Sequence, residues 1–453
     1  MYRPYKTPIV KAFPDIKVPE PRISRFVILL CRLLGRAYLF LFFGIARVIC
    51  GEGDLILFDA FKRALEGKSR CIIAFRHPNG GEPQLLTWFF LFKLRLLASR
   101  AGVKLSCPPH AVFIYGYEVV RWGGPMARFI MPNLGAMPIH HSKMDSKGMA
   151  RIYKAIAEGR YPVALAPEGQ VSYTNDAVPR LEPGTIRIGF NVADHLASHG
   201  TGCPVEILPL SLHFRFGKWG KLTLELLLKR IEKACGIWTR DRKKIPFTER
   251  LGQCREHILL ELEDRYQLES SASVPFTERL ELVFNTALET AERMTGINKE
   301  GDLFSRLYRV RQFCWDRIFL PGVDSVENLS SIKREILNLK AGEAWYMARH
   351  LEIVDFCWYF RVPLPEEETA YHKKVEYVQN LWDFANRSMG GAFANRKNIL
   401  PRRVIIHAAP VINLSERLPS YQADKKTAIS NAMSDLEKAF LDCINNAARA
   451  DKI

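Results

Sequence analysis

The ten cysteines of this 453-residue chain form no CxxC pair, and no Cys/His cluster has metal-ligand spacing. A disulfide framework and a structural zinc site are therefore not expected, and no metal is assigned. The thiols read as reduced, mostly buried residues of a cytosolic setting. P-loop, RNP and zinc-finger signatures are also missing, which removes sequence support for ATP or nucleic acid as a ligand. Acidic residues are in deficit: 48 Asp and Glu face 65 Lys and Arg, a net charge of +17. Such an excess favours anionic partners such as anionic lipid or phosphate-rich small molecules. Nucleic acid would rest on that charge alone and is not expected as a partner.

A long uninterrupted apolar run is absent too. Residues 25–50, RFVILLCRLLGRAYLFLFFGIARVIC, are strongly apolar, but Arg32, Arg36 and Arg47 interrupt them. Their longest uncharged run, residues 37–46, has 10 residues, half of the about 20 that a spanning helix needs. No cleavage site or short clean core marks a signal peptide. On one helix the three arginines share a side. The expectation is an amphipathic helix lying in a membrane surface, apolar face in the acyl region and arginines at the headgroups. Residues 1–50 are thus read as a basic arm followed by a membrane-associating helix.

What is present is ordinary for a globular chain: 48% apolar and 25% charged residues, with length for two or three domains. Between 51 and 240, short apolar runs alternate with helical patterns. Strands are expected at 70–75, 111–115, 136–139, 162–166 and 207–213, with a further strand at 222–228 closing the sheet. Helices are expected at 84–100, 146–158 and 185–199. This alternation predicts an α/β fold with a mostly parallel sheet flanked by helices. Residues 241–400 form an added helical region. There PFTERL occurs at 246–251 and 275–280. Each copy reads as a helix start, with Thr as the N-cap candidate, and not as a repeat architecture. Trp345, Tyr346, Trp358 and Tyr359 read as helix-packing core. Residues 401–453 return to a strand, 403–412, and a long amphipathic helix, 425–448.

Two segments carry chemistry. In CIIAFRHPNGGEPQLL an apolar strand runs into His77, a Pro-Asn-Gly-Gly turn follows, and Glu82 opens a helix. His77 therefore sits at the carboxyl end of a strand, where open α/β sheets place ligands. Glu82 is placed to reach back, fix the imidazole tautomer and leave the other nitrogen to accept a proton. A His beside a Glu is equally a structural feature of many sheets. In YPVALAPEGQVSY a second strand ends in Pro167, Glu168 and Gly169. Glu168 is a candidate for an acceptor hydroxyl, or a helix cap. Gly169 is a candidate turn that lets backbone N–H groups approach a substrate oxygen.

Strand–HxxxxE–helix followed by strand–PEG resembles the PlsC-type glycerolipid acyltransferase superfamily. That family's first motif is HxxxxD and its third is close to FPEGTRS. The segments GAMPIHH (135–141), LEPGTIRIGF (181–190) and ILPLSL (207–212) stand where the family has its remaining motifs, over roughly residues 50–240. The resemblance implies transfer of a fatty acyl group from an acyl thioester, acyl-CoA or acyl-carrier protein, to a hydroxyl of a lipid acceptor. His77 would be the base and Glu82 its orienting carboxylate, with neither a metal nor another cofactor. It also implies substrate contacts at Pro167, Glu168, Gly169 and Gly135, and action at the cytoplasmic face of a membrane. Two arginines that hold the acceptor's phosphate in the family are His141 and Val171 here. Lys143, Arg180 or Arg187 would have to substitute, or the acceptor carries no phosphate. The competing reading is a catalytically weak lipid- or acyl-CoA-binding protein on the same scaffold.

Overall fold

The computed structural model describes residues 11–17, 19–117, 119–140, 145–217, 220–269, 273–388 and 396–450. Two compact units divide the chain. The α/β unit runs to Gly217 and resumes at Leu400; the helical unit is built chiefly from the residues between, with residues 11–17 added.

In the α/β unit, helix α1 (Arg25–Phe43) leads into strand β1 (Ile45–Cys50), α2 (Asp54–Leu65) and β2 (Arg70–Phe75). Next comes α3, Glu82–Trp88, which continues through a π-helical stretch, Phe89–Leu94, into α4 (Arg95–Arg100). Then follow β3 (Val112–Gly116), α5 (Gly124–Asn133), β4 (Met137–Ile139), α6 (Ser146–Glu158), β5 (Val163–Leu165), α7 (Gly184–Ser198) and β6 (Val205–Phe216).

The segment expected to be one membrane helix to residue 50 is therefore two elements. Gly44 adopts a left-handed conformation (φ 60°) and its N–H closes on Leu39 O and Phe40 O, ending α1. The β-branched residues that follow suit a strand. Arg47 lies on β1, and Arg36 donates to Ile45 O at 2.7 Å and Ala46 O at 2.6 Å. Neither stands in the expected row of headgroup arginines. The outer side of α1 is apolar and open: Phe26, Leu29, Leu33, Phe40, Leu41 and Phe42 are exposed. By length and composition alone α1 could cross a membrane.

The helical unit contains α8 (Gly220–Ala234), α9 (Phe247–Arg265), α10 (Phe276–Thr295), α11 (Leu303–Ile318), α12 (Ser331–Tyr359) and α13 (Tyr371–Ser388). The strand expected at 222–228 is part of α8. Its leucines follow helical spacing, with Leu224, Leu227 and Leu228 buried while Leu222 and Leu226 are exposed. Thr is not the N-cap of either PFTERL helix. Pro246 and Pro275 hold that position, and Thr248 Oγ1 donates to Glu367 instead, at 2.6 Å. Of the aromatics expected in the core, Tyr359 is buried but Tyr346 is 56% exposed.

The arginine of PFTERL explains why the hexapeptide recurs. Arg250, in the first turn of α9, donates through Nε and Nη2 to both oxygens of Glu232 on α8, each at 2.8 Å. Arg279 of α10 does the same to Glu263 of α9, at 2.7 and 2.6 Å. Arg306 of α11 repeats it on Glu292 of α10, at 2.7 Å twice, in the sequence DLFSRL. Three successive helix junctions thus share one bidentate clasp.

The chain returns to the α/β unit as β7 (Arg402–Ala408), β8 (Ile412–Asn413), α14 (Leu418–Ala423) and α15 (Lys425–Ala450). Pro410 stands between β7 and β8, so the single strand expected there is two. The sheet order is β1-β7-β6-β2-β5-β3-β4, with β8 also on β6. Strands β6, β2, β5, β3 and β4 are parallel; β7 and β8 run against β6, and β1 runs with β7. The fold is α/β with a mostly parallel sheet covered by helices. Pro209 is tolerated inside β6 because its missing N–H faces the gap between β7 and β8, where its carbonyl takes Ala409 N at 3.1 Å. One face of the sheet is covered by α1 to α4, the other by α6, α7 and α15.

The clasps are buried ion pairs, so removing one partner strands the other. Burial works against the Glu232 charge, yet hydrogen bonds from Arg250 and Arg242 hold its carboxyl below the ordinary range. This contribution is present above the ordinary carboxylate pKa and is lost as pH falls through the lowered value. Arg250→Ala is expected to cost about 3–5 kcal/mol, read by urea unfolding at neutral pH. An unchanged midpoint would show the clasp to be idle.

Candidate active site

Strand β2 decides which way the reactive residues point. Successive strand residues alternate faces. Phe75 packs in the core under α1–α4, and Ala74 in the opposite core. Arg76 continues the Ala74 side, with its guanidinium over the Phe440 ring of α15 at 6.0 Å. His77 continues the Phe75 side and meets that ring edge-on, with centroids 5.8 Å apart.

The turn Pro78–Gly81 brings Glu82 back to the imidazole. Gly80 has φ +95°, a conformation that disfavours other residues. Gly81 precedes Glu82, the first residue of α3. Glu82 Oε2 lies 2.7 Å from His77 Nδ1 and accepts Gly80 N–H at 2.7 Å. The extra methylene relative to aspartate therefore still places an oxygen at hydrogen-bond distance. The Glu82 side chain is fully buried and that of His77 is 17% exposed.

With Nδ1 committed to the carboxylate, Nε2 is left to exchange a proton. Burial lowers the imidazole pKa, but Glu82, by charge and hydrogen bond, and the Glu168 charge outweigh it, and the net shift is upward. Below the ordinary imidazole pKa this pairing stabilises the fold in full. The contribution is lost as pH rises through the raised value.

The PEG turn lies at the same sheet edge, because β5 is parallel to β2 and adjacent to it. Its carboxylate does not face His77. Glu168 is 5% exposed, and its Oε1 accepts Arg76 Nε at 2.6 Å. Arg76 also donates through Nη2 to Thr174 O (2.8 Å) and Ala177 O (2.7 Å) and through Nη1 to Asn175 O (3.3 Å). Glu168 thus organises the loop after the turn and is not presented to an acceptor hydroxyl. Gly169 has the positive φ (+71°) expected of the turn, but its own N–H is taken by Ala166 O at 3.1 Å. Pro167 O accepts Glu182 N at 2.7 Å. Both residues shape the edge through their backbone.

Three further residues, Ser172, Asn175 and Arg402, complete the frame. Ser172 N donates to His77 O at 2.9 Å, tying the loop to His77. Asn175 Oδ1 accepts Phe214 N at 2.9 Å where β2 has ended. Arg402, from β7, donates to Asn79 Oδ1 at 2.8 Å. Arg76 and Asn79, as neighbours of His77, and Ser172, at the last position of the FPEGTRS match, could have been singled out from the sequence; Asn175 and Arg402 could not.

Gly135, Arg180 and Arg187 do not converge on His77. Gly135 precedes β4, at the opposite end of the strands, and packs against Ile23 ahead of α1. Arg187 is exposed on α7, which covers the face away from His77, and Arg180 is exposed in the loop before it. Val171 sits beside the Pro78–Gly81 turn: a Cβ on Gly80 would lie 3.7 Å from its Cγ2. His141 and Lys143 lie outside the described residues. The preceding His140 ends β4 and stacks on Tyr117 at 3.9 Å. Among the described residues no group of three His, Cys, Asp or Glu side chains is placed to hold a metal. Compared with known protein families, curated proteins and solved structures, the chain shows no match.

By proton NMR His77 should titrate above the ordinary value of about 6.5. Glu82→Gln should move the midpoint downward, since burial then dominates. A midpoint indifferent to Glu82→Gln would remove the carboxylate from the assigned role.

Proposed function

We propose that the protein is an O-acyltransferase that moves a fatty acyl group from an acyl thioester to a lipid hydroxyl at a membrane surface. The observation that carries this reading is the His77–Glu82 pair at the carboxyl edge of a mostly parallel sheet, with Nδ1 bound and Nε2 unengaged. The resemblance of HPNGGE and PEG to the PlsC-type motifs supplies the reaction class.

In this reading His77 Nε2 removes the acceptor hydroxyl's proton as the oxygen attacks the thioester carbonyl carbon. The tetrahedral intermediate expels the thiolate, the C–S bond breaks, and the imidazolium returns its proton to sulfur. Glu82 holds the tautomer and stabilises the imidazolium between the two transfers. The donor is acyl-CoA or acyl-carrier protein, and the net charge of +17 suits either phosphorylated group. Val171 beside Gly80 favours an acceptor without a phosphate at that position, since its own side chain carries no charge to pair one. The exposed apolar side of α1 supports work at a bilayer surface, with α1 lying in it, and the resemblance implies the cytoplasmic face.

Purified protein given acyl-CoA and a panel of lysolipids should release thiol and form acylated lipid. His77→Ala should lower turnover by roughly 10²–10⁴-fold while the fold persists. In the unmodified protein kcat/KM should fall as pH drops through the raised His77 pKa. Retained activity in His77→Ala would remove the base. No turnover with any donor and acceptor would leave a lipid- or acyl-CoA-binding protein.

Membrane attachment is tested separately. Leu33 and Leu41 are 66% and 73% exposed on α1. Leu33→Glu with Leu41→Glu should abolish co-sedimentation with anionic vesicles. Undiminished binding would place the contact elsewhere.

A further inference from the structure

The guanidinium of Arg402 belongs to neither motif, yet it touches the catalytic turn and the membrane-facing helix at once. Arg402 opens β7 and is 1% exposed. Its Nη1 donates to Asn79 Oδ1 at 2.8 Å. Its Nε donates to Phe43 O at 2.8 Å, and Nη2 reaches the same carbonyl. Its main-chain N–H donates to Gly44 O at 2.9 Å, and its guanidinium lies 5.5 Å from the centroid of the Phe214 ring.

Phe43 is the last residue of α1. A helix C-terminus presents unsatisfied carbonyls and the negative end of the dipole, so a buried cation is well placed there. The Phe43 ring in turn lies against Gly81: a Cβ on Gly81 would stand 2.7 Å from two ring carbons. Gly81 leads into Glu82. The end of α1 therefore meets the HPNGGE turn twice, through the Phe43 ring at Gly81 and through Arg402 at Asn79.

We propose that Arg402 is a positioning residue that couples the seating of α1 on a lipid surface to the geometry of the His77–Glu82 turn. This rests on the acyl-transfer reading and extends it: the site's partner, the bilayer, also sets its turnover. Displacing α1 moves the Phe43 carbonyl, and the planar guanidinium transmits that movement to Asn79. Lysine keeps the charge but cannot span both acceptors in one plane.

The test uses the full chain and a water-soluble short-chain acyl thioester with a soluble alcohol acceptor, with and without phosphatidylcholine–phosphatidylserine vesicles. Vesicles should raise the kcat of the unmodified protein without changing KM. In Arg402→Lys the rise should disappear, leaving kcat on vesicles lower by up to about 10²-fold, with KM unchanged. Asn79→Ala removes only one acceptor and should abolish the same rise. Combining it with Arg402→Lys should cost nothing further. If Arg402→Lys does not fold, Asn79→Ala alone decides the matter. A vesicle-stimulated kcat that survives these substitutions overturns the coupling, and so does a kcat in the unmodified protein that vesicles do not change.

If the unmodified protein turns over no substrate, the acyl-transfer reading fails and the coupling is read at His77 itself. Its NMR resonance should then shift on adding vesicles in the unmodified protein and stay fixed in Asn79→Ala. A resonance that does not respond to vesicles, or responds equally in both, overturns the coupling.

Discussion

Arg76 lies with its whole side chain inside the protein, and the edge of the sheet is arranged around it. An arginine there needs a counter-charge and hydrogen-bond acceptors, because an unpaired charge in a low-dielectric interior costs several kcal/mol. Glu168 supplies the counter-charge, and three loop carbonyls take further donors. That requirement brings the end of β5 to the end of β2 and shapes residues 174–177. Just before those residues in the chain, Ser172 N holds the carbonyl of His77. The Arg76–Glu168 ion pair and the Ser172–His77 backbone bond thus both belong to the loop that follows the PEG turn.

The division of labour between the two glutamates follows from strand alternation. Glu82 reaches His77 because it starts the helix that follows the turn on the His77 side. Glu168 is turned to the Arg76 side and influences His77 only through its charge. Both carboxylates raise the proton affinity of the imidazole, but only Glu82 selects which nitrogen is free. The helical unit shows the same economy of means in another setting. Three arginines, each in the first turn of a helix, clasp a glutamate of the helix before, and each clasp is bidentate.

Much of the sheet was legible along the chain, because its strands are short apolar runs between helical patterns. The limits of β2 and α6 are those read from periodicity. The misreadings have identifiable causes. Residues 222–228 are apolar at both strand and helix spacing over so short a span, and only burial separates the two. Residues 45–50 follow a helix of the same apolar character, so nothing in the pattern marked the change except Gly44. The pairing of PFTERL with the preceding helix was invisible because its partner, a glutamate 18 or 16 residues earlier, carries no motif.

The His77–Glu82 pair was determined by the sequence alone. Its members are close along the chain, and a Pro-Asn-Gly-Gly turn leaves few ways to connect a strand to a helix. The PEG turn was placed at the right edge for the same reason, since it ends a strand that had to be parallel. What only the tertiary structure decided is which way each side chain faces and what distant residue it meets. Glu168 is spent on Arg76, Gly135 sits at the far end of its strand, and Arg402 arrives from beyond the helical unit to hold Asn79. Local sequence constrains neighbours through backbone geometry. It cannot constrain pairings whose partners are 92 or 323 residues apart, because those are chosen by the register of the sheet.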